Sequence, residues 1–134
     1  LNMLKKLFIL LVVQFFIINQ SISMEKETTF NKKLFDKAQS EGKIVIISSW
    51  IKYCSSCASQ MKVLNQAKNK GKLLDVNFQN IEYFSFDVTN KEIAELFNVK
   101  FQTTLLIFKD NKEVYRSLGE TTEDLIYQAL KKTI

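Results

Sequence analysis

The sequence has no proline and no histidine, and its 134 residues include two cysteines, one tryptophan and one arginine. Each scarcity excludes something. Without proline, no X–Pro cis bond can form. Without histidine or a third cysteine, one chain cannot supply an ordinary four-ligand nitrogen/sulfur zinc site. Metal would need a dimer or carboxylate ligands. Arg116 is the only arginine, so there is no Arg-rich patch, and there is no base-stacking motif. The remaining positive charge is scattered lysine, which reads as a solvated surface and not as a nucleic-acid footprint. The net charge of +5 falls to +3, with 17 basic against 14 acidic residues, once Lys5 and Lys6 are set aside as part of a leader. No internal repeat, linker or low-complexity tract interrupts the chain, which excludes repeat architectures.

What is present is ordinary for a globular protein: 46% hydrophobic and 25% charged residues. The length suits one domain with one core, and eleven Phe supply much of its volume. The domain is expected over 24–134, with 1–23 as a targeting segment. Lys5 and Lys6 form a basic start. Leu7 to Ile18 is an apolar run of twelve broken only by Gln14, short of the ~18–20 residues of a membrane span. Ser21 and Ser23 put small residues where a leader peptidase cuts. A secretory signal, or an uncleaved anchor formed by 7–18, follows. Either places the domain in an extracytoplasmic, periplasm-like compartment where disulfides persist.

Both cysteines lie in Trp50-Ile51-Lys52-Tyr53-Cys54-Ser55-Ser56-Cys57. Ahead runs Ile44 to Ile47, β-branched and apolar. Behind runs Ala58 to Lys70, with apolar residues at Ala58, Met61, Val63, Leu64 and Ala67. That predicts strand, turn, helix. The first sulfur then sits at a helix N-terminus, where free N–H groups and the dipole favour thiolate. The second lies one turn on, close enough to close a disulfide. A redox dithiol is the leading expectation, beside a static structural disulfide and half of a shared metal site.

A first helix is expected over 31–41, with Phe30, Leu34, Phe35 and Ala38 inward and Gly42 as its stop. Ile44 to Trp50 is expected as a central strand buried on both faces. Lys72 to Glu82 has no clean period and predicts a loop or short helix over the sheet. Tyr83 to Val88 reads as a second buried strand. Thr89 to Glu92 reads as a capping box with Thr89 at the N-cap, opening a short helix on Ile93, Ala94, Leu96 and Phe97. Thr103 to Phe108 and Glu113 to Leu118 are expected as a hairpin about Lys109 to Lys112. A last helix starts at Thr121 to Asp124, with Leu125, Ile126, Ala129 and Leu130 inward. The pattern is α/β, with parallel pairing across helices and a final antiparallel hairpin.

Together these residues resemble the thioredoxin family over about 30–134. Trp50 and Tyr53 stand where the family has aromatic residues before its Cys-X-X-Cys. Phe86-Asp87-Val88 followed by a helix matches its central strand. Val99 to Lys109 is similar to its V-R-x-x-P-T-L-L-x-F-K stretch. The resemblance implies a thioredoxin-like fold, a mixed sheet of four to five strands flanked by helices. It implies thiol–disulfide exchange with protein cysteines, Cys54 as nucleophile and Cys57 as resolving thiol. Trp50, Tyr53, Ser55, Ser56, Gln102 and Thr103 would line the groove and support the sulfurs. The only redox group would be the Cys54–Cys57 disulfide, with no metal or other cofactor. Partners would be protein thiols and disulfides and a membrane-bound electron donor, not nucleic acid, for a monomeric protein.

Four positions depart from the family pattern. Thr103 occupies the cis-proline position, and because a non-Pro cis bond costs ~3–4 kcal/mol the Gln102–Thr103 bond is expected trans or rearranged. Ser48 replaces a buried acid and Tyr83 its partner lysine, so slower resolution through Cys57 is expected. Lys62 replaces a helix-kinking proline, so a straighter helix is expected. These departures leave two alternatives: a redox-inactive binding module, and a metal- or iron–sulfur-binding dimer that uses space opened beside the sulfurs.

Overall fold

The computed structural model describes residues 2–6 and 26–134. The apolar run 7–18 and the cleavage signal at Ser21 and Ser23 lie outside the described residues. Lys5 and Lys6 lie in a short exposed helical stretch. Among the described residues, no helix is long and apolar enough to cross a membrane.

The elements run α1 (Lys32–Ser40), β1 (Ile44–Trp50), α2 (Ser55–Lys70), β2 (Lys72–Leu73), β3 (Val76–Asn77), β4 (Ile81–Asp87), α3 (Lys91–Leu96), β5 (Thr104–Lys109), β6 (Lys112–Leu118) and α4 (Glu123–Lys131). Four strands form the central sheet in the order β4-β1-β5-β6. β1 pairs parallel with β4 and antiparallel with β5, which pairs antiparallel with β6. The fold is thioredoxin-like, as expected, with four strands in the sheet.

β1 is central and buried on both faces: five of its seven residues are buried, and alternation sends them to opposite sides of the sheet. Ile46 joins one core with Leu64, Tyr83, Leu105, Ile107, Ile126 and Leu130. Val45 and Ile47 join the other with Phe35, Phe84, Phe86, Phe97 and Leu106. The second core is an aromatic cluster. Phe97 stands edge-on to Phe30 and Phe35 at ring separations of 5.1 and 5.4 Å, a geometry that adds to simple burial.

Several expectations change. The 72–82 segment is not a helix. Leu73 and Val76 pair in a two-residue β2–β3 hairpin, turned by Leu74 at φ +53°, and Leu73, Val76 and Phe78 are buried. Asn90, not Thr89, caps α3: its side chain accepts from the Ile93 N–H, while Thr89 bonds back to Asp87 Oδ1. Leu34, Leu96 and Leu125 are about half exposed, and Ala58 is exposed, so none belongs to the core. The hairpin at Asp110-Asn111 is as expected, both residues at positive φ as a two-residue type I′ turn requires. α2 is continuous through Lys62.

Candidate active site at the Cys54–Cys57 disulfide

Cys54 and Cys57 form a disulfide with Cα atoms 5.3 Å apart. Their setting follows from how β1 passes into α2. Trp50 ends the strand, Tyr53 turns the chain at φ +63°, and Cys54 is the N-cap of α2 in extended conformation. Its Sγ accepts the Cys57 N–H at 3.2 Å, taking the place that a Ser or Asp oxygen has in other caps. No acidic residue stands in the first turn of α2 to offset the positive end of its dipole. Cys54 is half-buried, whereas Cys57 has no exposed surface. The first sulfur therefore faces solvent and the second faces the core.

The predicted supporting residues divide. Ser56 Oγ lies 3.3 Å from Cys54 Sγ. Ser55 is exposed and offers its carbonyl to Ser59. Trp50, the last residue of β1, is half-buried, its Nε1 buried without a hydrogen-bond partner among the described residues. Tyr53 is 91% exposed, with Lys52 Nζ 5.1 Å from its ring, so it covers no core. Gln102 is exposed on the approach to Thr103.

Thr103 is the least expected residue. All peptide bonds among the described residues are trans, as its lack of proline predicted, but Thr103 adopts φ +61°. For a β-branched side chain that conformation is a true outlier, costing on the order of 1–3 kcal/mol. It delays the start of β5 to Thr104, one residue later than expected, and brings the hydroxyl to the sulfurs. Thr103 Oγ1 lies 3.2 Å from Cys57 Sγ, 3.6 Å from Cys54 Sγ and 3.0 Å from Ser56 Oγ. The hydroxyl fills space beside the sulfurs that the sequence reading left open for a ligand. Among the described residues, no three His, Cys, Asp or Glu side chains converge on a common point.

Two residues missed in the sequence hold this conformation. The Ser49 carbonyl accepts the Thr103 N–H at 2.8 Å. Ser49 Oγ donates to the Phe101 carbonyl and accepts from the Thr104 N–H. Gln60 Nε2 donates to the Thr103 and Glu120 carbonyls at 3.4 and 3.0 Å. Both side chains are buried. The available signal was a polar residue inside an otherwise apolar strand, and one lying on the same helical face as Cys57 and Leu64. Deeper still, Ser48 Oγ and Tyr83 Oη meet at 2.6 Å. The resemblance puts the family's acid and lysine at these two positions, here filled by two hydroxyls that satisfy each other. Burial pushes the Tyr83 phenol well above its ordinary value of about 10, against weaker help from Ser48 and Ser85.

The family model for Thioredoxin matches residues 21–132. A thioredoxin H-type of Oryza sativa subsp. indica is 32% identical over 100 residues, covering 71% of this chain and 76% of its own. One of Fagopyrum esculentum is 26% identical over 110 residues, covering 81% and 88%. Among solved structures, Trxlp of Edwardsiella tarda EIB202 aligns with a TM-score of 0.64 at 23% identity, over 74% of this chain and 92% of that one.

Proposed function

The chain belongs to the thioredoxin family, and from that premise we propose that it serves an extracytoplasmic compartment, with Cys54 as nucleophile and Cys57 as resolving thiol. It is a thiol–disulfide oxidoreductase that acts on protein disulfides. The observation that carries the division of roles is the asymmetry of the site. Cys54 caps α2 at the surface, while Cys57 lies wholly buried one turn on. In the reducing direction the Cys54 thiolate attacks a substrate disulfide, expelling one substrate sulfur and forming a mixed disulfide. Cys57 then attacks Cys54 Sγ, the bond from Cys54 to substrate breaks, and the substrate leaves as a dithiol. The two electrons now missing from the Cys54–Cys57 pair return from a membrane-bound donor. The disulfide itself is the redox group, and no other cofactor enters.

The leader pattern of Lys5-Lys6, the apolar run 7–18 and Ser21/Ser23 supports export or tethering. A monomer is supported by the outer edge of β4, which residues 27–30 cover with hydrogen bonds to Ser85 and Asp87. The test is a Cys57→Ser trap in the native host. It should accumulate mixed disulfides with exported proteins, while Cys54→Ser should accumulate none. Capture of cytoplasmic partners alone would overturn the localisation. In the reduced purified protein, iodoacetamide should modify Cys54 much faster than Cys57. Equal labelling would remove the assignment of roles.

A further inference from the structure

We propose that Thr103 and Ser56 form a hydroxyl relay that carries the Cys57 thiol proton to solvent during resolution. The inference rests on the reading of Cys57 as the resolving thiol. Attack on the mixed disulfide needs a thiolate, yet Cys57 Sγ has no exposed surface, and a thiol cut off from water holds its proton more tightly. The interior pair at Ser48 and Tyr83 cannot take that proton. The two hydroxyls are bonded to each other, and neither is a base near neutral pH.

A different path is built. Thr103 Oγ1 stands 3.2 Å from Cys57 Sγ, Ser56 Oγ stands 3.0 Å beyond it, and Ser56 is exposed. The line runs from buried sulfur to water through two hydroxyls, each able to donate and accept. The other partners of Thr103 are the Ser49 and Gly119 backbones and the Gln60 carboxamide, none of which titrates. The strained backbone points the same way. At φ +61° glycine would sit without strain, so a threonine there keeps its hydroxyl at the sulfurs against the local preference. Such outliers are found where strain serves mechanism.

The step balances. Cys57 Sγ–H gives its proton to Thr103 Oγ1 as the Thr103 hydroxyl proton passes to Ser56 Oγ and the Ser56 proton passes to water. The Cys57 thiolate bonds to Cys54 Sγ, the bond from Cys54 to substrate breaks, and the departing thiolate takes a proton from solvent. Both hydroxyls end with one proton each.

The experiment mixes reduced full-length protein with an aromatic disulfide whose free thiol is coloured. The first release of colour reports attack by Cys54, the second reports resolution by Cys57. Positioned proton transfer is worth roughly 10²–10⁴ in rate, so Thr103→Val should slow the second phase about a hundredfold or more relative to the first. In mixtures of light and heavy water the wild-type second phase should show a bowed rate dependence, the mark of more than one proton in flight. Thr103→Val should lose the bow, and Thr103→Ser should restore both rate and bow. Thr103→Gly lacks the hydroxyl but suits the backbone, so it should be as slow as Thr103→Val. A second phase at wild-type speed in Thr103→Gly or Thr103→Val overturns the relay alone. No coloured release from the wild type overturns the relay and the oxidoreductase reading together.

Discussion

Ser48 and Tyr83 meet inside the molecule, and what holds them is mutual satisfaction. A buried hydroxyl left alone costs ~1–3 kcal/mol, while a pair removed together can be nearly neutral. Tyr83→Phe should therefore destabilise the protein by about 1–2 kcal/mol through the stranded Ser48 hydroxyl. The double change Ser48→Ala, Tyr83→Phe should cost less than the two single changes added, because the residues touch. Denaturant unfolding of the four proteins measures the cycle, and simple additivity would deny the coupling. The phenol also sets a pH dependence. Its folded-state pKa is raised above the ordinary value of about 10 by burial, so the folded protein keeps a proton that the unfolded chain releases. The contribution is full below about pH 10 and declines as pH rises further. The alkaline loss of stability should be shallower in Tyr83→Phe than in the wild type. Of the four positions that depart from the family pattern, Ser48, Tyr83 and Thr103 lie in the shell that supports the sulfurs. That two of them bond to each other, and that the third turns left-handed to reach the sulfurs, depends on distances and dihedrals that residue identity does not carry.

At the scale of elements, legibility followed burial. The bounds of β1 are legible because a strand buried on both faces is a continuous apolar run, and Gly42, the expected stop of α1, has the left-handed backbone that such a stop uses. Helix faces were read less well. An apolar residue at helical spacing can lie at the margin of the stripe, as Leu34 and Leu125 do, half exposed. On α2 the buried face instead includes Cys57 and Gln60, which an apolar count passes over. β2 and β3 have two residues each, too few to show a period. The start of α3 offers a direct trial of cap assignment. Thr89-x-x-Glu92 has the capping-box pattern, yet the Asn90 side chain accepts the Ile93 N–H at 3.3 Å. Asn90→Ala should cost about 1 kcal/mol, as N-cap truncations do. Thr89→Ala, which loses only an exposed bond to Asp87, should cost less. The reverse order in thermal unfolding would return the cap to Thr89.

For the whole molecule, the segment just before α1 joins three parts of the structure. Thr29 and Phe30 N–H groups donate to the Ser85 carbonyl at 2.9 and 3.0 Å. The Asp87 N–H donates to Thr28 Oγ1, and Ser85 Oγ donates to the Glu27 carbonyl. This covers the outer edge of β4 at Ser85 and Asp87, and open edges invite pairing between chains. Phe30 drives its ring into the aromatic core against Phe35, Phe84 and Phe97. Lys26 Nζ donates to the Ile51 carbonyl at 3.1 Å, three residues ahead of Cys54. Cleavage after Ser23 would keep all of these contacts. A chain beginning at Met24 should therefore unfold at the same denaturant concentration as the longer one. A chain beginning at Asn31 should unfold earlier and self-associate through β4, as seen by sedimentation. The ring can be separated from the edge. Phe30 is half-buried, so Phe30→Ala should cost about 2–3 kcal/mol, below the ~3–5 of a fully buried phenylalanine, and with the edge still covered it should sediment with the same mass as the unsubstituted chain. If the chain from Asn31 matches the longer one in both midpoint and mass, the 26–30 segment is only a tether to whatever precedes it. If it fails in both, that segment belongs to the fold.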